Sequence, residues 1–322
     1  MILSVTINPL LERVFLYDKI NLGQVNRCAE EQFRAGGKGI NVCRQLNYLQ
    51  MKNIALTFAG GNNGKIFRSI LKSENIDFVT IPTKSETRSA ALIFESENNR
   101  LTSYFGPNME ILQSEVNEFK IQLEKMIKNC SIVVFSGSSP NKVTDEIFSY
   151  GIELANNYDK ISILDTYGDQ VKECIEKQPT VLHNNKLELE KSLGFNLANE
   201  EAICDCLNYL HKKNIKLGFI TDGKNPIYAS KFDFHYKIEN PIVDEIDSTG
   251  SGDAFVAGLV YGLEKAMIFD EFVKIAASLG VANATKFDLC NSDRKEIENY
   301  FEKIRIFPIG KKMKIIDDSP NY

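Results

Sequence analysis

Short runs of β-branched and other apolar residues alternate along the chain with longer stretches of helical periodicity. The runs that predict strands lie at 2–7, 54–59, 132–135, 161–164 and 217–220. Several lack polar alternation, which is typical of parallel strands covered on both faces. The helical stretches between them lie at about 38–50, 111–129, 142–157 and 199–213. The pattern predicts a doubly wound α/β fold with a mostly parallel sheet.

Two segments, at about 11–35 and 88–105, break this rhythm. In the second, SAALIFES and RLTSY flank the polar turn Glu97-Asn98-Asn99, which predicts a hairpin. We expect the two segments to form a small β-layer that projects from the main sheet. Near the C-terminus, Asn291-Ser292 is a plausible N-cap for a helix over 293–304. No linker or internal repeat divides the chain, so we interpret 1–322 as a single domain.

Composition and charge narrow the class of protein. Of 322 residues, 43% are hydrophobic and 25% charged, which is typical of a globular chain with a core. The 38 basic residues are outnumbered by 43 acidic ones, for a net charge of -5. Because no basic excess is available for a phosphate backbone, nucleic acid is not expected as a partner.

The cysteines and the N-terminus indicate the compartment. The seven cysteines are scattered and form no CxxC pair, so we expect free thiols in a reducing environment. Cys204 and Cys206 resemble half of a metal site, but the three histidines lack zinc-ligand spacing, which favours a packing or surface role. The N-terminus has no basic leader, and the chain has no run of 18 apolar residues. A cytoplasmic protein without membrane contact is expected.

The densest chemical signal is the segment DSTGSGDAF at 247–255, which precedes a helical pattern. Small residues at this position leave backbone amides free to bind an anion, and the helix dipole adds positive character. A glycine-rich loop that only closes a strand-helix turn is the alternative. Asp253 is explained either as a helix-capping acid or as a base for a hydroxyl nucleophile.

Two other phosphate-binding motifs are excluded by direct comparison. A Rossmann fingerprint requires a third glycine where Phe255 stands. A Walker A loop requires four residues between its glycine and the Gly-Lys pair, whereas Gly60 to Gly64 leaves three, and Ile66 occupies the Ser/Thr position.

A second glycine cluster, AGGKGINV at 35–42, opens an amphipathic helix. Its glycines allow close approach of a ligand, Lys38 supplies a positive charge, and Asn41 offers both a donor and an acceptor. A turn with a solvated lysine is the alternative.

Together, AGGKGINV and DSTGSGDAFVAG resemble the paired signatures of the ribokinase-like PfkB carbohydrate kinase family. The GGKGIN form is similar to the 1-phosphofructokinase and tagatose-6-phosphate kinase branch. Shorter stretches match in the expected order over residues 1 to about 305, namely VTINPLLER, TRS, SGSSP, LDTYG, NKLE and TDG.

The resemblance implies a ribokinase-like three-layer αβα fold with a mostly parallel sheet and a small β-lid. The lid closes over the sugar and often mediates dimerisation, so a homodimer is expected. The implied activity is ATP-dependent phosphorylation of a sugar hydroxyl with Mg²⁺. Asp253 is then the base, and the amides of Gly250, Ser251 and Gly252 form the anion hole. Such a reaction depends on positioning and electrostatics, because the transition state of phosphoryl transfer is loose and highly charged.

The resemblance also implies ligand contacts. The acceptor-binding residues are Glu12, Gly37, Lys38, Asn41, Arg88 and Ser138, of which Lys38 and Arg88 bind the phosphate already on the substrate. The ATP-binding residues are His183, Asn185, Thr221, Gly223 and Thr249, and Asn185 and Glu188 organise Mg²⁺ through water. The alternatives are an exposed helix acid for Glu188, a lid salt bridge for Arg88 and turn chemistry for Ser138.

Three positions depart from the family pattern. Glu12 replaces an aspartate that grips sugar hydroxyls, and His183 replaces a lysine near the nucleotide phosphates. The second change makes a permanent cation titratable. Pro226 replaces a glycine, which is expected to reshape the nucleotide pocket.

The function predicted from these residues is a phosphosugar kinase that converts fructose 1-phosphate to fructose 1,6-bisphosphate. Tagatose 6-phosphate is the alternative acceptor, and the sequence does not separate the two. A catalytically weak sensor of sugar phosphate and nucleotide is motivated by Glu12 and His183, but the retained Asp253 argues against it. A kinase for neutral sugars is disfavoured by Lys38 and Arg88 together.

Overall fold

The structure is a computed structural model that describes residues 1–310. The strands in this part of the chain are β1 (Ile2–Thr6), β2 (Leu10–Tyr17), β3 (Glu30–Gly36), β4 (Asn53–Gly60), β5 (Phe78–Thr83), β6 (Ser89–Glu95), β7 (Arg100–Phe105), β8 (Ile132–Ser136), β9 (Ile161–Asp165), β10 (Val181–Asn185), β11 (Leu217–Thr221), β12 (Ile227–Lys231), β13 (Phe234–Glu239) and β14 (Arg305–Ile309).

The helices in the same residues are α1 (Lys38–Tyr48), α2 (Gly61–Ser73), α3 (Gln113–Lys128), α4 (Glu146–Asn157), α5 (Gln170–Glu176), α6 (Lys186–Leu193), α7 (Glu200–Lys212), α8 (Ser251–Glu264), α9 (Phe269–Ala284) and α10 (Arg294–Phe301). A short 3₁₀ turn (Lys142–Thr144) precedes α4.

The central sheet has the strand order β14-β13-β12-β11-β10-β9-β8-β1-β4-β5. The strands from β11 to β5 run parallel, and β12, β13 and β14 extend the sheet antiparallel. Helices α1, α8 and α9 cover one face, and α3, α4, α5 and α7 cover the other. Every residue of β1 and of β8 is therefore buried, which explains their apolar runs without alternation. This architecture confirms the predicted α/β class.

A second sheet of four strands, in the order β3-β2-β6-β7, contains the predicted hairpin. Strands β6 and β7 pair antiparallel across the turn, where Asn99 adopts a positive φ of 44°. The inner face of this small sheet packs Leu10, Val14 and Leu92 together with Phe287 of the main body. The strands match, to within one residue, the two segments that interrupt the strand-helix rhythm. That this sheet closes over a substrate stays a prediction.

The C-terminal helix differs from its predicted bounds. Asp293, and not Asn291-Ser292, caps α10. Its side chain accepts a hydrogen bond from the Glu296 amide, and the Glu296 side chain accepts one from the Asp293 amide. The helix ends at Phe301, and its last predicted residues lead instead into β14.

The predicted single domain extends to 322, and its last residues, 311–322, lie outside the described residues. No helix within residues 1–310 combines the length and the apolar character needed to cross a bilayer.

Candidate active site

The candidate site lies where the carboxyl ends of parallel strands meet. The strand order reverses between β1 and β8, and in open α/β sheets such a reversal opens a ligand crevice. The two strand ends are joined here, because Asn8 Nδ2 donates to Ser138 Oγ at 3.1 Å. The first turns of α1 and α8 also meet at this edge, through a 2.7 Å hydrogen bond from Asn41 Nδ2 to Asp253 Oδ2.

The residues of the predicted anion hole lie at the start of α8. Gly250 is the N-cap residue with a left-handed φ of 77°, a conformation that favours glycine. The Ser251 amide donates to the Ser248 carbonyl oxygen at 3.1 Å, so it must leave this bond to bind an anion. A Cβ on Gly252 would lie 3.3 Å from His183 Cε1, which brings the histidine ring against this turn.

Asn283, which sequence analysis missed, holds this loop in place. Its Nδ2 donates to the Thr249 carbonyl oxygen at 2.7 Å and to Ser251 Oγ at 3.1 Å, while its Oδ1 accepts the Cys290 amide at 2.8 Å. Asn283 lies near the end of α9, in an apolar and small-residue stretch whose pattern predicts only a buried helix.

Asp253 is buried, with 6% of its surface exposed. Burial and the negative charge of Asp165 raise the pKa of Asp253 to about 7, although Lys38 and the hydrogen bond from Asn41 oppose the change. A carboxyl group with this pKa is poised to take a proton near neutral pH. That Asp253 acts as the base stays a prediction.

Lys38 joins two acids at the floor of the crevice. Its Nζ lies 2.8 Å from Glu188 Oε1 and 3.3 Å from Asp165 Oδ1. Burial lowers the pKa of Lys38, but the two carboxylates outweigh burial and raise it above its ordinary value. In this structure the ammonium group is thus paired, and not free for a substrate phosphate.

Asp165 is a further site residue that sequence analysis did not single out. It is fully buried, accepts a hydrogen bond from Ser136 Oγ at 2.7 Å, and lies 3.0 Å from His183 Nδ1. Burial alone would raise the pKa of Asp165, yet Lys38 and His183 hold it well below its ordinary value. The sequence feature that could have identified Asp165 is its position directly after the predicted strand at 161–164.

His183 lies against the first turn of α8, with 2% of its surface exposed. Its Nδ1 faces Asp165 Oδ1, and its Nε2 lies 3.3 Å from Thr221 Oγ1. Both ring nitrogens are therefore engaged with the protein, so direct contact with a nucleotide phosphate stays a prediction.

Arg88 lies between the small sheet and the end of β1. Its guanidinium donates to the Asn8 carbonyl at 3.1 Å, to Asn108 Oδ1 at 3.3 Å and to the Pro9 carbonyl at 3.4 Å. No carboxylate among residues 1–310 forms an ion pair with it, so the alternative of a lid salt bridge finds no support in the described chain.

The remaining predicted residues divide between the two sides of the crevice. Gly37, with a φ of 125°, turns the chain from β3 into α1. On the other side, Gly223 follows β11 with a φ of 54°. Pro226 lines a groove of about 220 Å³ beside β11 and α7, together with Ile203 and Ile220. The apolar residues that line the groove pack on the face of the sheet opposite α8.

Comparison with known proteins decides the family. The model for "pfkB family carbohydrate kinase" matches residues 6–296. The chain belongs to the PfkB family of carbohydrate kinases.

A curated relative and two solved structures are similar to the chain over nearly its whole length. A tagatose-6-phosphate kinase of Staphylococcus epidermidis is 28% identical over 313 residues, which cover 96% of this chain and 100% of that protein. A Thermotoga maritima structure described as "Possible 1-phosphofructokinase" has a TM-score of 0.87 at 23% identity, covering 96% of this chain and 99% of that one. Escherichia coli phosphofructokinase-2 in complex with fructose-6-phosphate has a TM-score of 0.84 at 21% identity, covering 94% and 98%.

A kinase of the PfkB family implies magnesium, and the residues predicted to organise it lie at the start of α6. Asn185 and Glu188 form a capping box at the start of α6, and Glu188 Oε1 also accepts a hydrogen bond from Lys38 Nζ. Beside them, Asn184 Oδ1 is buried and has no hydrogen-bond partner within residues 1–310. Because Mg²⁺ prefers oxygen ligands and keeps much of its water, this oxygen-rich cluster fits a water-mediated ion.

Proposed function

We propose that the chain is an ATP-dependent sugar-phosphate kinase whose acceptor is fructose 1-phosphate and whose product is fructose 1,6-bisphosphate. The observation that carries the proposal is Asp253, buried at the first turn of α8 with a pKa of about 7 and held by Asn41. Its position beside a potential anion hole is the arrangement that transfer of a phosphoryl group to a hydroxyl requires.

Each residue at the start of α8 has a defined role in the proposed phosphoryl transfer. Asp253 takes the proton of the acceptor hydroxyl as that oxygen attacks the γ-phosphorus of ATP, and ADP leaves with the bond electrons. The amides of Gly250, Ser251 and Gly252 stabilise the negative charge on the transferred group. Asn41 orients the Asp253 carboxylate through the 2.7 Å hydrogen bond.

Cations on the acceptor side favour a substrate that already carries a phosphate. Arg88 has no ion-pair partner in the described chain, and Lys38 lies at the crevice floor. Substrate binding then moves Lys38 from Asp165 and Glu188 towards the acceptor phosphate. A neutral sugar would leave the Arg88 guanidinium without an anionic partner, so it is the weaker candidate.

ATP and Mg²⁺ belong to the opposite side of the crevice. His183 supports the anion hole from below, while Asn185, Thr221, Gly223 and Thr249 line the approach of the nucleotide. Asn185 and Glu188 would hold Mg²⁺ through water, and the bound ion supplies charge neutralisation to the ATP phosphates.

Tagatose 6-phosphate is the second candidate acceptor, because the Staphylococcus epidermidis relative is named for it. ADP release, coupled to a spectroscopic signal, should be measured with fructose 1-phosphate, tagatose 6-phosphate, fructose 6-phosphate and free fructose, with and without Mg²⁺. We expect the largest kcat/KM with fructose 1-phosphate. A larger value with tagatose 6-phosphate would replace the acceptor, and saturable binding without any turnover would favour a sensor.

We also propose a homodimer through the outer face of the small sheet. Phe33, Arg13, Ala91 and Tyr104 align across its strands on one face. The Arg13 guanidinium lies 5.3 Å from the ring centroid of Phe33, and the Tyr104 side chain is largely exposed. A small sheet that exposes two aromatic side chains on one face is a surface that a second copy of the chain would bury. The cytoplasmic location stays a prediction.

A further inference from the structure

Two oppositely charged side chains lie next to each other on adjacent strands of the small sheet. Glu12 of β2 is the register partner of Arg34 of β3. Glu12 is 8% exposed, and the Arg34 side chain is 14% exposed. Cross-strand partners have their side chains on the same face, so the carboxylate and the guanidinium share one buried space.

Each of these side chains leaves a buried polar atom unsatisfied. Glu12 Oε2 and Arg34 Nη2 are inaccessible to solvent, and neither has a hydrogen-bond partner among residues 1–310. Leaving a buried charged atom without a hydrogen bond is costly, and native proteins keep few such atoms. The cost at Glu12 is also seen in its pKa, which burial raises against the influence of Arg34, Arg44 and Arg88.

Glu12 Oε2 and Arg34 Nη2 would both be satisfied by one group that donates one hydrogen bond and accepts another. Glu12 offers only an acceptor, and the guanidinium offers only donors. A hydroxyl group satisfies both at once, because it donates its proton to the carboxylate and accepts from the guanidinium.

The position of the pair connects it to the acceptor side of the crevice. The Leu11 amide, one residue before Glu12, donates to the Arg88 carbonyl oxygen at 3.0 Å. A side chain at Gly36, two residues before Lys38, would collide with the Glu12 carboxylate, so this group lies directly against the start of the AGGKGINV segment. The unsatisfied Glu12 atom therefore belongs to a carboxylate that lies against the segment assigned to the sugar.

We propose that Arg34 is a further acceptor-binding residue, and that Arg34 and Glu12 together bind one hydroxyl of the sugar. Arg34 Nη2 donates to the hydroxyl oxygen, and the hydroxyl donates to Glu12 Oε2. This inference rests on the proposed function and adds a specificity residue to it. The longer reach of glutamate at position 12 and the cation at position 34 act as one unit.

A second role for Arg34 must be separated from this one. Its guanidinium carbon lies 4.7 Å from the Phe287 ring centroid, and Nη2 lies 3.7 Å from Asp288 Oδ1, beyond hydrogen-bond range. These contacts link the small sheet to the main body. If Arg34 served only that link, its loss would weaken catalysis equally for every acceptor.

The experiment combines removal of Arg34 with removal of single substrate hydroxyls. Wild type, Arg34→Met and the control Asp288→Asn are assayed with fructose 1-phosphate and with analogues that each lack one hydroxyl. For one analogue, we expect wild type to lose about 10- to 100-fold in kcat/KM, the range for a hydrogen bond to a charged group. Arg34→Met should lose nearly all of that discrimination, and Asp288→Asn should keep it.

Other results would contradict either the proposed role of Arg34 or the proposed function. An equal loss for all acceptors in Arg34→Met would overturn the inference and leave Arg34 as a structural link. Wild type without turnover on any sugar phosphate would contradict the proposed function, and this inference with it. If Arg34→Met lacks a cooperative unfolding transition, Arg34→Lys replaces it. Full wild-type discrimination in Arg34→Lys would show that Arg34 Nη2 is not required and would overturn the proposed hydrogen bond from it.

Discussion

Asp253 is the residue whose ionisation should control the reaction. Replacement by asparagine keeps the shape of the side chain and removes the proton acceptor. We expect Asp253→Asn to lower kcat by at least about 100-fold, the usual contribution of a general base. Steady-state assays of ADP release measure the effect, with the exposed Asp244→Asn as a control that keeps wild-type kcat.

The pH profile tests the same role. Because the pKa of Asp253 is raised to about 7, its carboxyl group is protonated and inactive below that pH and becomes a base above it. Wild-type kcat/KM should therefore rise as pH increases through about 7 and then level off. Near-normal turnover in Asp253→Asn, or the same pH profile in variant and wild type, would remove Asp253 from the mechanism.

Arg88 should act on the acceptor and not on the nucleotide. Its guanidinium is held by carbonyl and amide oxygens, and a substrate phosphate would be its anionic partner. We expect Arg88→Ala to raise KM for the sugar phosphate by about 10- to 100-fold and to change KM for MgATP little. Lys19→Ala, which removes a surface ion pair with Glu97, is the control and should leave both KM values unchanged. Equal weakening of both ligands in Arg88→Ala would indicate a defect of the small sheet instead.

At the scale of the element, the turn that starts α8 requires a left-handed residue. Gly250 has a φ of 77°, and Gly194, which ends α6 far from the anion hole, has a φ of 80°. Alanine at either position should cost about 1 kcal/mol of stability, because a Cβ is disfavoured at positive φ. Only Gly250→Ala should also lower kcat, since it alone displaces anion-hole amides. Urea unfolding and kinetics of both variants separate the two effects, and equal kcat values would contradict the assignment.

Elements buried on both faces could be predicted from the sequence, and those with mixed exposure could not. Strands β1, β8, β9 and β11 have apolar runs, because helices cover both sides of the sheet. Strand β14 is an edge strand with exposed and half-buried residues, and its sequence predicted no strand. The pairing of β12, β13 and β14 depends on contacts between distant segments, which a local pattern does not report.

The same limit applies to the site. Asp253 and Lys38 lie in glycine-rich segments that open helices, so local chemistry drew attention to them. Asp165, Asn283 and Arg34 act through partners distant in the chain, such as His183, Thr249 and Glu12. Only the three-dimensional arrangement identifies these partners, so sequence reasoning missed all three.

At the scale of the whole molecule, the outer face of the small sheet should join two copies of the chain. Phe33 and Tyr104 are 43% and 61% exposed on that face. We expect Phe33→Glu with Tyr104→Glu to shift the protein from dimer to monomer in size-exclusion chromatography with light scattering, because buried charge opposes association. Phe232→Glu, at a 49% exposed position away from this sheet, is the control. A wild-type monomer, or a dimer that survives both changes, would contradict the proposed interface.

Phosphoryl transfer itself can be followed with ATP labelled at the γ-phosphorus. Wild-type protein, Mg²⁺, labelled ATP and fructose 1-phosphate are incubated together, and the sugar phosphates are separated. We predict that the label appears in fructose bisphosphate in step with ADP release, and that Asp253→Asn slows both by at least about 100-fold. Release of the label as inorganic phosphate, or no use of ATP with any sugar phosphate, would contradict the assignment of this crevice as a kinase active site.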